Sequence, residues 1–123
     1  MAANKILKIP PQYIAVAAAN LLNGALGSLA GPVGFTATQP YLILKHIHVS
    51  NKDTIAHAIT LYIGATGGSA GGTEFAWNNF SLGAQQYDDW FGQQRLDSTD
   101  FLSGIADLAS KVTIEIDAEI GFS

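Results

Sequence analysis

The last part of the chain alternates polar and apolar residues without a slip: Lys111-Val112-Thr113-Ile114-Glu115-Ile116-Asp117-Ala118-Glu119-Ile120. Val112, Ile114, Ile116, Ala118 and Ile120 share one side, and Thr113, Glu115, Asp117 and Glu119 share the other. That period of two predicts a strand with one dry face and one wet face. Antiparallel sheets give this alternation, whereas buried parallel strands read as unbroken apolar runs. Residues 41–49 and 55–63, rich in Ile, Leu, Val, Thr and Tyr, predict two more strands. Ser50-Asn51-Lys52-Asp53-Thr54 between them has turn chemistry, so the pair reads as a β-hairpin. A loop at residues 64–72 follows, with five glycines in nine residues, either mobile or tightly turned. Residues 73–80 and 85–91 then read as two aromatic-bearing strands separated by Ser81-Leu82-Gly83-Ala84. Residues 96–104 read as a turn with a helical fragment, capped by Asp97 or Ser98 and ended by Gly104.

The N-terminal third has a different texture. Residues 5–9 and 13–17 have the makings of short strands, while Ala and Leu in residues 18–29 are diluted by Asn and Gly and do not make a long helix. Short strands at regular spacing, many glycine turns and no convincing long helix predict an all-β fold, an antiparallel β-sandwich or jelly roll. One domain is expected: residues 1–40 as a less regular N-terminal arm with the first short strands, packed on a sandwich core of residues 41–123. No internal repeat is visible.

Composition sharpens this picture. Of 123 residues, 48% are hydrophobic and only 13% charged, about half the ~25% of an ordinary soluble domain. That excludes intrinsic disorder, which needs low hydrophobicity and high charge. A net charge of −4 with six scattered basic residues leaves no basic stripe for nucleic acid. From Ile9 to Leu44 there is no charge at all, but Asn20, Asn23, Ser28, Gly24, Gly27, Gly31, Gly34 and Pro32 interrupt the stretch too often for a membrane span. A signal peptide is the better rival, since Lys5 and Lys8 precede a short apolar run. Pro10-Pro11 breaks that run and Met1 is retained, so a soluble chain with an intact N-terminus is expected. The charge-free stretch is then best read as surface meant to be covered by another subunit. With no cysteine, disulfides, thiolate zinc sites and thiol nucleophiles are excluded.

The candidate chemistry is sparse. His46 and His48, two apart on a strand, share a face, and His57 lies on the next predicted strand. One hairpin register sets His48 opposite His57 and gathers three candidate ligands for zinc, copper or nickel. A register shifted by one instead groups Ile43, Ile47, Val49, Ile59, Leu61 and Ile63 on a dry face, with Lys45 the misfit. Apolar patterning leaves both open, and the plainer reading of the histidines is polar strand residues near a subunit contact. Asp88 and Asp89 are adjacent on a strand, point to opposite faces and cannot serve one site. Asp97-Ser98-Thr99-Asp100 lacks the alternating array of a calcium loop. The glycine loop has no following Lys-Ser/Thr and no helix start, and no Gly-x-Ser-x-Gly elbow occurs. No catalytic template is complete, so neither an enzyme nor a cofactor is expected.

The aromatic residues carry more. Phe75 and Trp77 share a predicted face; Tyr87 and Phe91 share another, with Trp90 opposite. If one face is core, large aromatics face outward, and interfaces favour Trp, Tyr and Phe. Trp77, Tyr87 and Trp90 are therefore candidate interface residues. They are also candidate sugar-stacking residues, with Asp88 or Asp89 accepting from hydroxyls, in the alternative of a carbohydrate-binding module.

The run Leu61-Tyr62-Ile63-Gly64-Ala65-Thr66-Gly67-Gly68-Ser69-Ala70-Gly71-Gly72-Thr73-Glu74-Phe75 carries a resemblance. With it go Tyr87-Asp88-Asp89-Trp90-Phe91, the segment Leu96-Asp97-Ser98-Thr99-Asp100-Phe101-Leu102-Ser103-Gly104 and the alternating last strand. Over roughly residues 41–121 the chain resembles small structural proteins of tailed bacteriophages, jelly-roll or β-sandwich modules that decorate or cement the capsid or sit at the neck and tail. Its motifs are turn and packing signatures. The resemblance implies a dimeric or trimeric homo-oligomer on the capsid exterior, bound to the major capsid protein, and in the host cytoplasm during assembly. A neck or tail adaptor is the close alternative. It also implies an N-terminal arm reaching over neighbouring subunits, which would suit residues 5–13 and make Lys5, Lys8 and Tyr13 contact residues.

Overall fold

The computed structural model describes residues 5–16, 19–23, 40–64, 69, 71–97 and 99–122. Among these there is no helix, and hence none long and apolar enough to cross a membrane. Eight strands follow in order: β1 (Lys5–Tyr13), β2 (Ala19–Asn23), β3 (Pro40–Asn51), β4 (His57–Gly64), β5 (Phe80–Leu82), β6 (Tyr87–Leu96), β7 (Phe101–Ala106) and β8 (Val112–Phe122). They form two four-stranded antiparallel sheets, ordered β1-β8-β3-β6 and β2-β7-β4-β5. The pairs nest, β1 with β8, β2 with β7, β3 with β6 and β4 with β5, as in one long hairpin rolled over itself. That is the topology of an eight-stranded jelly roll.

The two sheets close on an apolar core. Val112, Ile114, Ile116, Ala118 and Ile120 of β8 are all buried, as their alternation predicts. They meet Leu42, Leu44, Ile47 and Val49 of β3, Ile59 and Leu61 of β4, and Leu102 and Ala106 of β7. Gly104 faces this core. A Cβ there would stand 2.9 Å from Leu21 Cδ1 and 3.0 Å from Leu61 Cδ2, so a side chain at that position would have to push both leucines aside. Ile9, Ile14, Leu21, Leu42 and Leu44 come from the charge-free stretch. These five fill the protein's own core, while Tyr13 and Val16 of the same stretch are exposed; residues 17–18 and 24–39 lie outside the described residues.

Several local expectations are corrected. β3 and β4 do not form a hairpin: β3 lies between β8 and β6 in one sheet, and β4 between β7 and β5 in the other. The polar break is a corner between sheets, and Asn51 makes it. Its buried side-chain amide donates to the carbonyls of Ile55, Leu82 and Gly83, at 2.9, 3.0 and 3.1 Å. Its side-chain oxygen accepts from the Asp53 N–H at 2.9 Å, an Asx-turn that redirects the backbone. The helical fragment at residues 96–104 is absent from the described residues there. Asp100 N–H bonds the Asp97 carbonyl at 2.9 Å in a tight turn, and Gly104 lies inside β7. The strand expected at residues 73–80 is reduced to β5, a Tyr62–Glu74 bridge and hydrogen bonds of Thr73, Phe75 and Trp77 to β4. Ala76 and Asn79 adopt φ of 65° and 49°, which an extended strand does not tolerate.

The segment read as a reaching arm is β1, an edge strand of the protein's own sheet. Ile9 pairs with Ile116 and Gln12 with Ile114, so one extra residue sits on β1 between them. Pro10-Pro11 occupies that bulge, where the missing N–H groups cost no ladder bond. The glycine-rich loop falls largely outside the described residues, as does Ser98.

A second bulge governs β3. Leu44 pairs with Ala118 and His46 with Asp117, neighbours on β8, so Lys45 is extra against β8; against β6 the same step spans Gln94 to Phe91, and the extra residue there lies on β6. The inward phase changes there from Leu42 and Leu44 to Ile47 and Val49. With Lys45 in place and no bulge, strict alternation would force either the leucines or Ile47 and Val49 out of the core. Loss of two large buried side chains costs about 4–10 kcal/mol, comparable with the whole stability of a domain this size. Deleting Lys45 removes the extra residue and leaves Leu42, Leu44, Ile47 and Val49 on one face of a regular strand, so the deletion variant is expected to keep a β-rich circular-dichroism spectrum and a cooperative melt. An unfolded spectrum would contradict this account of the bulge.

Candidate functional site

Beyond Lys45 the outer face of the first sheet carries His46 and His48, two apart on the central strand β3. Register brings a carboxylate to them from each neighbouring strand: β6 sets Asp89 opposite His48, and β8 sets Asp117 opposite His46. His46 Nε2 and His48 Nδ1 both lie 2.7 Å from the same Asp89 Oδ1, and His46 Nδ1 lies 3.2 Å from Asp117 Oδ2. Phe91 stacks on His46 with ring centroids 4.4 Å apart and planes 8° from parallel; Tyr87 leans on His48 at 5.4 Å. Lys45 Nζ pairs with Glu119 at 3.1 Å beside the cluster.

Ionised carboxylates only accept hydrogen bonds, so a His46 ring bonded to Asp89 and Asp117 at once carries protons on both nitrogens. Partial burial pulls the His46 pKa down, but the hydrogen bonds to Asp89 and Asp117 and their negative charge outweigh it, and the net shift is upward from 6.5. Asp89 shifts the other way, below 3.8, held there first by His46 and then by His48.

His57 does not join this cluster. It sits at the corner between the sheets, only 3% exposed, with Nε2 2.7 Å from Asp53 Oδ2 and Nδ1 2.7 Å from Asp107 Oδ1. The grouping of all three histidines expected from one hairpin register fails because that hairpin does not exist. His57 instead ties the β3–β4 corner to the β7–β8 connection. The hydrogen bond to Asp53 is the main cause raising its pKa above 6.5, against burial and with help from Asp107. Asp53 is lowered from 3.8, first by His57 and then by the Thr54 N–H, with Lys111 adding attraction.

Asp88 and Asp89 do face opposite ways: Asp88 accepts from the Trp77 indole N–H at 2.9 Å, while Asp89 holds the histidines. Trp77, a candidate interface and sugar-stacking residue, is 6% exposed and belongs to the core. Trp90 is half-buried, edge-on to Phe75 at 4.9 Å. Tyr87 and Phe91 are the open pair, 68% and 71% exposed on one face of β6. Tyr13 is about half exposed, its hydroxyl accepting from Lys52 Nζ at 2.6 Å. Lys5 and Lys8 lie in β1, across from Ile120 and Asp117.

Sequence reasoning missed Asp89 and Asp117 as partners of His46 and His48. The usable signal was the wet face of β8, which offers Asp117 and Glu119 to whichever strand pairs with it. No family model matches the chain, and neither a curated protein nor a solved structure matches it. Fold and site define a class on their own terms: a jelly roll with a histidine–carboxylate cluster and exposed aromatics on one outer sheet face.

The corner histidine makes a signed prediction. A histidine raised on folding contributes stability that is full below about pH 6.5 and is lost as pH rises through its folded pKa. The lowered Asp53 contributes above about pH 3.8, and that is lost as pH falls through its own folded value. In thermal melts, wild-type protein should therefore exceed His57→Gln most between about pH 4 and 6.5, with the gap shrinking as pH rises above that range. A gap independent of pH would show that His57 acts there as a packed neutral ring.

Proposed function

We propose that the protein is a structural component of a tailed-bacteriophage virion: a non-enzymatic capsid cement or decoration protein that binds across junctions of the major capsid protein as a homo-oligomer. The observation that carries this reading is the open edge of the first sheet. Among the described residues β6 has a neighbouring strand on one side only, and its outer face exposes Tyr87 and Phe91. Unpaired N–H and C=O groups on a strand of ten residues are a template for another chain, and aromatic residues dominate the centres of interfaces.

The fold supports the reading by analogy, since eight-stranded jelly rolls recur in viral capsid and lectin domains. A cement protein needs no catalytic group: it binds the assembled shell in preference to dispersed subunits, and so stabilises the shell by mass action. A neck or tail adaptor would use the same surface at lower copy number. The carbohydrate reading loses support from the burial of Trp77 and the packing of Trp90.

Tyr87→Ser and Phe91→Ser should each weaken binding to DNA-free capsids by about 30-fold, the loss of an aromatic contact worth ~2 kcal/mol. Neither should lower the melting temperature appreciably, because both side chains face solvent. Copies in the hundreds on quantified gels of purified virions identify decoration, against a ring of roughly six or twelve at a neck or tail. A chain that stays monomeric at high concentration and ignores empty capsids rules the proposal out.

A further inference from the structure

The geometry points to a divalent transition-metal site built by His46, His48 and Asp89, on observations independent of the proposed virion role. Three donor atoms of three residues converge, all within 4.8 Å of one another. Both imidazole nitrogens already touch one carboxylate oxygen, at 2.7 Å each. Around a tetrahedral zinc ion with bonds of about 2.0–2.1 Å, ligand atoms stand roughly 3.3 Å apart. Each nitrogen–oxygen contact therefore has to open by roughly 0.6 Å, and the two nitrogens, within 4.8 Å of each other, settle to the same spacing, with the ion taking the place of the bridging protons.

Backbone register, rather than loop conformation, fixes this arrangement. Adjacent strands of one sheet hold the two histidines and Asp89, and sites on strands keep their geometry better than sites on loops. His46 also has the support that ligating histidines usually show. Its second nitrogen bonds a carboxylate, Asp117, at 3.2 Å, which sets the tautomer and ring direction. The stacked Phe91 ring fixes the His46 plane from one side. All three ligands are partly exposed, with side-chain exposures of 28%, 37% and 26%, so an ion enters from solvent without unfolding the sheet.

Ligand chemistry selects the ion. Two imidazoles and one carboxylate suit zinc, cobalt, nickel or copper, whereas magnesium and calcium prefer all-oxygen sets. Three protein ligands leave a fourth position to water or to a donor from another chain.

The test uses the tag-free full chain, stripped with chelator and titrated with Zn²⁺ by calorimetry, with Co²⁺ as the spectroscopic probe. One ion per chain is expected, with visible Co²⁺ absorption typical of low coordination. His48→Asn and Asp89→Asn should abolish that binding, and Asp117→Asn should weaken it by about 10–100-fold. Paramagnetic Co²⁺ added to wild-type protein should broaden the ring resonances of His46 and His48 and spare those of His57, which locates the ion without relying on a variant that folds. Absence of one-to-one binding, binding that survives both His48→Asn and Asp89→Asn, or broadening centred on His57 would each overturn the assignment and leave the cluster as ion-paired side chains.

Discussion

A single extra residue, Lys45, decides which way the central strand of the first sheet presents its chemistry. Leu42, Leu44, His46 and His48 have the same parity, and a regular strand would send all four to one face. With the bulge, Leu42 and Leu44 point into the sandwich, and so do Ile47 and Val49 beyond it. His46 and His48 are left together on the outer face. The core gains four large side chains from one strand, and the two imidazoles avoid burial among aliphatic residues. Bulges often re-aim side chains in this way. The register of β8 follows from it, since Asp117 reaches His46 only because the phase changes between Leu44 and His46.

The jelly-roll topology depends in turn on corners, and Asn51 shows how one is enforced. Three carbonyls at the end of β5 and in the β3–β4 connection converge on its buried amide. Replacing that amide with an apolar group would leave buried carbonyls without donors, which is costly in a core. His57 acts one layer further out, joining Asp53 on the same corner to Asp107 on the opposite connection.

These two features explain what was legible in the sequence. The alternation of β8 is a local property, and its five inward residues can be read by eye. The all-β class and the turn at residues 50–54 are local too. A hairpin turn and a jelly-roll corner share the same composition of Ser, Asn, Lys, Asp and Thr. They differ in where the Asn51 amide finds its partners, some thirty residues further on. Both hairpin registers considered for the histidines assume a pairing of β3 with β4 that the topology does not contain. Strict alternation would admit only one of the pairs Leu42–Leu44 and Ile47–Val49 to the dry face, and the bulge admits both. Asp89 and Asp117 reach His46 across separations of 43 and 71 residues, beyond any local pattern.

Scarcity of charge looks different once the pairs are placed. Asp53, Asp89, Asp107 and Asp117 hold histidines, Glu119 holds Lys45 and Asp97 holds Arg95. Acidic groups are few, and many of them are engaged with basic partners a hydrogen bond away. While His46 and His57 carry the protons that their flanking carboxylates demand, the formal net charge moves from −4 to −2. Long-range repulsion between copies is correspondingly small, and net charge near zero favours association. The exposed Tyr87 and Phe91 stand on the same outer face, beside His46, whose charge is cancelled within the sheet. An approaching partner therefore meets aromatic surface next to carboxylates that are already paired with His46, so less free charge has to be desolvated there than unpaired carboxylates would impose.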